Sequence, residues 1–209
     1  MKKLIPKIFF FVLFIILVIS IIIAITQNTH DRTIKMYNNL INKENYTLKI
    51  VEENKDINYS ITMAKKDSYT SIDTVSNDEH TTTLVKDDIA YYVMHNTGEY
   101  YLYDSKQIEA DILIDDLKEI DKKEYKKGHE TINGKDYYYE EYQGISAFIL
   151  WLDHEEDENE IKTRFYFDGN NIKYIKNILE DEEELLKVEL LTKVEDKLFE
   201  IPSDYAEIE

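Results

Sequence analysis

The stretch Tyr125 to Tyr142, YKKGHETINGKDYYYEEY, limits the fold more than any other part of the chain. Two runs of alternating residues flank Asn133-Gly134. A type I′ turn needs positive φ at both central positions, and Asn-Gly is the strongest short signal for one. On the second run Tyr137, Tyr139 and Glu141 share one side, while Tyr138, Glu140 and Tyr142 share the other. Tyrosine suits a half-covered strand, because the ring packs while the hydroxyl reaches water. The stretch is an antiparallel hairpin, and the surrounding chain must supply the rest of a sheet.

It does so with period-two patterns. Tyr46, Leu48 and Ile50 alternate with Thr47, Lys49 and Val51, and Asn54-Lys55-Asp56 follows as a turn. Ile57, Tyr59, Ile61 and Met63 give a strand with one apolar face. Residues 68–76 and 79–86 are rich in Ser and Thr and read as weaker, solvated edge strands. Strands are also expected at 89–94, 100–103, 161–167, 172–179 and 186–194, with a strong turn at Asp168-Gly169-Asn170-Asn171 and an acidic connection at 180–184. The total is roughly nine to eleven strands, without the strand–helix–strand alternation of a parallel α/β sheet.

Two helices are expected. Asp31 can cap the first, over 31–42, with Ile34, Tyr37, Leu40 and Ile41 on one face. The second runs from Asp104 to Ile120, with Asp104 and Gln107 at capping-box spacing and a stripe of Ile108, Ile112, Leu113, Leu117 and Ile120. The apolar run 145–152, ISAFILWL, fits either a doubly covered strand or a buried helix.

Ile8 to Ile25 has Ser20 as its single polar residue and follows Lys2, Lys3 and Lys7. Its length approaches the roughly 20 residues with which a helix crosses a bilayer. Ala24-Ile25-Thr26 is a poor cleavage site, so an uncleaved signal anchor is expected over 8–26. Residues 1–7 are then a cytoplasmic basic tail, and 27–209 an extracytoplasmic β-rich domain.

The chain has no cysteine, which excludes disulfides, thiolate metal sites and cysteine nucleophiles. A net charge of −18 repels nucleic acid. His129-Glu130-Thr131-Ile132-Asn133 lacks the second histidine of a zinc-protease helix and lies on a strand. His30, His80, His95 and His154 form no ligand spacing and read as ordinary surface or strand residues. Asp153, Glu155, Asp157 and Asn159 alternate as calcium ligands would, but no glycine provides the bend, so a solvated acidic loop over 153–160 is expected. No nucleophile–base arrangement can be named, and the expectation is no enzyme, no metal and no cofactor.

A resemblance is carried by Gly128…Glu130-x-Ile132-Asn133-Gly134-Lys135-x-Tyr137, by Phe165-Tyr166-Phe167-Asp168-Gly169…Ile172-x-Tyr174-Ile175, and by Phe199-x-Ile201-Pro202-Ser203-x-Tyr205. Together these resemble extracytoplasmic half-barrel proteins of the LolA and LppX type, in particular their uncharacterised Gram-positive relatives. The resemblance implies an unclosed barrel around an apolar cavity, used by better-known members to carry lipids or lipoproteins. A lipid-modified cysteine is missing, and a permanent anchor departs from a shuttling carrier.

The expected fold is therefore α+β: an N-terminal transmembrane helix, then a large curved antiparallel sheet forming an open half-barrel with two helices on its concave side. The expected function is binding of an apolar ligand, such as a lipid or acyl chain, by a membrane-anchored extracytoplasmic domain. Tyr59, Ile61, Tyr91, Val93, Phe165 and Phe167 are the expected lining. The rival is a cell-envelope interaction module with a filled core that docks a protein partner. Expected partners are the membrane through 8–26, a lipid or other apolar ligand and, on the rival reading, an envelope protein; nucleic acid is excluded.

Overall fold

The computed structural model describes residues 32–53, 59–87, 89–104, 120–145 and 160–208. All but Arg32 belong to one compact unit, Thr33–Glu209. The unit is built on a 12-stranded sheet in the order β12-β6-β5-β4-β3-β2-β1-β11-β10-β9-β8-β7.

The first meander comprises β1 (Asn45–Glu52), β2 (Tyr59–Lys66), β3 (Tyr69–Ser76), β4 (Glu79–Lys86), β5 (Ile89–Met94) and β6 (Glu99–Asp104). The second comprises β7 (Tyr125–Ile132), β8 (Lys135–Gln143), β9 (Lys162–Asp168), β10 (Asn171–Leu179) and β11 (Glu182–Leu191). Antiparallel pairing of β1 with β11, Leu48 opposite Leu190 and Ile50 opposite Val188, joins the two meanders. The short β12 (Ala206–Glu207) then pairs in parallel with β6.

The organising hairpin forms as its sequence dictates. Ile132 pairs with Lys135, and Asn133 and Gly134 take φ of 50° and 79° across the turn. Positive φ at Asp67, Asn77 and Glu180 supports three further tight turns. The connection between β10 and β11 is therefore shorter than the acidic segment expected over 180–184, and Glu182 already lies in β11. β3 and β4, expected as edges, are interior strands between β2 and β5. Threonine fits a pleated surface, and here Asp73 of β3 bonds to His80 and Thr82 of β4.

Paired residues share a face and successive residues alternate, so the register sorts the side chains into two layers. One layer, the helix face, receives helix α1 (Arg32–Ile41). Tyr37 and Leu40 of α1 join Leu48, Ile50, Ile61, Met63, Phe165, Phe167, Ile175 and Leu186 in the largest core. Glu140 of β8, 0% exposed, accepts hydrogen bonds from the Thr33 amide (3.0 Å) and hydroxyl (2.7 Å). A carboxylate at the first turn of a helix is favoured by the exposed amides there.

The opposite layer is the strap face, because the C-terminal segment crosses it. Thr47 Oγ1 donates to the Lys193 carbonyl (3.2 Å), and Lys66 pairs with Asp196. A 3-10 turn at Asp196–Phe199 brings Phe199 against Ala64 and Leu84, with Tyr69, Tyr91, Val194, Leu198 and Ile201 around it. Over the second meander the same face carries Ile132, Tyr137, Tyr166 and Tyr174. Beside them Glu130 binds Arg164 (2.8 Å), Lys176 (2.6 Å) and the Tyr166 hydroxyl (2.7 Å).

The expected fold class is corrected on three points. The sheet is mixed, because β12 enters parallel to β6, whereas a purely antiparallel sheet was expected. A single short α-helix is present among the described residues, whereas two were expected. Asp104, the expected cap of the second helix, ends β6, and Ile120 begins a 3-10 turn at Ile120–Lys122; the remainder of that helix, 105–119, lies outside the described residues. Finally, no described helix is long and apolar enough to cross a membrane, so the membrane-spanning helix gains no support. The anchor expected over 8–26, the apolar run from 146 to 152 and the acidic loop from 153 to 159 also lie outside the described residues.

Candidate functional site

The six residues expected to line a ligand cavity do not share a face. Tyr59 and Ile61 of β2 and Phe165 and Phe167 of β9 lie on the helix face, where they belong to the core or pack against it. Tyr91 and Val93 of β5 point to the strap face, and Tyr91 packs toward Phe199. Alternation orders residues within one strand, but only the register between strands fixes which sides coincide. Phe165 is 0% exposed and Ile61 3%, so both fill the core instead of lining an open wall. Tyr59 is partly buried. Burial, then the nearby charges of Glu184 and Glu52, holds its hydroxyl well above the usual phenol range.

The helix face changes character along the sheet. Beneath α1, across β1, β2 and β8–β11, it is a filled core, mostly apolar, with Glu140, Thr163 and Asn177 buried in it. Across β3–β6 the same face presents Thr74, Thr81, Thr83, Tyr92, Met94, Tyr101 and Tyr103, all of them partly exposed. The three tyrosines form one cluster. Tyr101 and Tyr103 meet edge to face with centroids 4.6 Å apart, and Tyr92 lies 5.2 Å from Tyr101 and 6.4 Å from Tyr103. Burial, followed by a hydrogen bond with Tyr101, holds the Tyr103 hydroxyl above the ordinary range. The result is a shelf of ring faces and threonine methyls edged with hydroxyls, able to hold an apolar body and to bond a polar end.

A second constellation lies on the strap face of the same strands. Asp73 of β3, His80 and Thr82 of β4, and His95 just beyond β5 converge there. The imidazoles of His80 and His95 stack at 3.9 Å. Burial, then the neighbouring His80, lowers the pKa of His95, while Asp73 pulls in the opposite direction. The sequence reading missed this group because fifteen positions, with a turn between, separate His80 from His95. The available signal was the pairing itself: β3 with β4 and β4 with β5 place Asp73, His80, Thr82 and His95 side by side. By contrast, His129 pairs with Asp136 (2.8 Å) and meets the Tyr138 ring edge to face on the outer hairpin, away from this group.

No family model matches the chain. No curated protein matches it either. Among solved structures it is similar to an uncharacterised conserved protein from Thermus thermophilus, at 8% identity and a TM-score of 0.49, over 88% of this chain and 98% of that one. A likeness at that level carries no argument about fold or function. None of these comparisons supports the resemblance to the LolA and LppX type.

Proposed function

We propose that the protein is a non-catalytic binding module that takes an apolar ligand with a polar end, such as an acyl chain, on the tyrosine shelf of β3–β6. The observation that carries this reading is the division of the helix face. Where α1 covers the sheet, the layer is packed with the protein's own side chains. Beyond that core, the same layer continues as Tyr92, Tyr101 and Tyr103 with their rings partly exposed. Each methylene moved from water onto such a wall contributes about 0.8 kcal/mol, and tyrosine hydroxyls can bond a head group. The site therefore moves away from Ile61, Phe165 and Phe167, which belong to the filled core.

Titration of the full chain with a fluorescent fatty-acid probe tests this reading. Saturable binding is expected, weakened about tenfold or more by Tyr101→Ala and unchanged by Tyr139→Ala on the strap face. Absence of saturable binding to the wild-type chain would sink the ligand reading. It would favour the rival, in which the shelf docks a protein partner.

A further inference from the structure

We propose that Asp73, His80 and His95 form a binding site for one divalent cation of the zinc, cobalt or nickel class, on the strap face and separate from the tyrosine shelf. One donor atom from each of the three residues lies within 4.8 Å of the other two. His80 Nε2 lies 2.8 Å and His95 Nε2 4.0 Å from Asp73 Oδ1. Bonds of about 2.0–2.1 Å in a tetrahedral set hold neighbouring donor atoms about 3.3 Å apart, midway between these two spacings. The two rings stack at an interplanar angle of 24°, so seating an ion requires the stack to open until both Nε2 lone pairs converge.

The hydrogen-bond partners are compatible with such a site. His95 Nδ1 lies 3.1 Å from the Tyr205 hydroxyl, whose own proton can go to the His95 carbonyl at 3.4 Å. Two tautomers fit these contacts: with the ring proton on Nδ1, Nε2 keeps its lone pair beside Thr82 and Asp73; with the proton on Nε2, the ring donates to Thr82 Oγ1 and accepts from Tyr205. Thr82 Oγ1 donates to Asp73 Oδ1 at 2.7 Å and lies 2.8 Å from His95 Nε2, so in the first tautomer it faces two acceptors with one proton to give. That tautomer is the one a cation would select, since an ion on Nε2 leaves Thr82 to donate to Asp73 alone. His80 would move its ring proton from Nε2 to Nδ1 and offer the freed lone pair.

The surroundings are those of a supported site. Tyr205 orients His95 from outside, the usual role of a second partner to a metal-bound imidazole. The His80 amide donates to Asn96 Oδ1 (2.9 Å), and the His95 amide to the His80 carbonyl (2.9 Å), so both histidines stand on braced backbone. The side chains are 20–40% exposed, which gives an ion a way in and leaves a fourth position for water. Two imidazoles and one carboxylate prefer borderline transition ions to calcium or magnesium.

Calorimetric titration of the full chain with zinc, in excess calcium to occupy adventitious carboxylates, tests the site. One zinc per chain is expected. His80→Ala and His95→Ala should each weaken binding by at least about a hundredfold, and Tyr205→Phe by about tenfold, in line with outer partners at known metal sites. His129→Ala should leave it unchanged. X-ray absorption of the zinc-loaded wild-type chain reads the same site without any variant, and two imidazole nitrogens at about 2.0 Å are expected. Zinc surrounded by oxygen alone, or affinity indifferent to both His80→Ala and His95→Ala, would overturn the proposal and leave the group as a hydrogen-bonded histidine pair.

Discussion

At the scale of single residues, a few side chains fix the register and the helix. Gly134 holds a φ of 79° that a residue with a Cβ adopts at a cost. Gly134→Ala should lower stability by about 1 kcal/mol, measured by urea denaturation. Glu140 was legible as facing the same side as Tyr138 and Tyr142, but not as buried. An acid within YYYEEY reads as solvated until α1 is seen to bring Thr33 onto it. Glu140→Ala strands the Thr33 amide and hydroxyl and should cost about 2–4 kcal/mol by the same measurement. Glu130 gives a pH signature. Burial works to raise its pKa, but hydrogen bonds from Lys176, Tyr166 and Arg164 together hold the carboxyl below its ordinary 4.5. A depressed folded-state pKa stabilises above the unfolded value and loses that contribution as pH falls through the folded one. The stability gap between wild type and Glu130→Gln should therefore be widest near neutrality and narrow below about pH 4.5. A gap that widens with acid would contradict the network. Gly128 is tied to its partner Tyr139, because a Cβ there would lie 2.6 Å from the Tyr139 ring.

At the scale of elements, the strands with one apolar face were legible, since alternation survives any sheet order. The places of β3 and β4 were not. Their Ser/Thr-rich sequences suggested exposure, yet Asp73, Thr82, His80 and His95 bond among themselves on the strap face. The C-terminal strap was equally hidden. Residues 193–207 have no periodicity, and their role depends on where β2, β3 and β6 end up. Phe199, 5% exposed against Ala64 and Leu84, anchors the strap. Phe199→Ala should destabilise the chain by about 3–5 kcal/mol. Amide exchange should show β3 and β4 losing protection before β9 and β10, which lie in the other meander. Uniform loss across both meanders would mean that the strap is not a local brace.

At the scale of the whole molecule, two meanders are joined by the long-range pairing of β1 with β11. Their shared helix face is closed at the junction and tyrosine-lined toward β6. The sequence conveyed the sheet and an apolar layer, but the six expected lining residues divide between two faces because inter-strand register is a property of the assembled sheet. Both proposed sites lie on β3–β6, on opposite faces, and should act independently: Tyr101→Ala is expected to spare zinc binding, and His95→Ala to spare the fatty-acid probe. The most direct measurement of the central reading is native mass spectrometry of the full chain after incubation with a mixed lipid extract. The account predicts a mass above that of the polypeptide, released as lipid by organic solvent and much reduced in Tyr101→Ala. A bare polypeptide mass for the wild-type chain would contradict it.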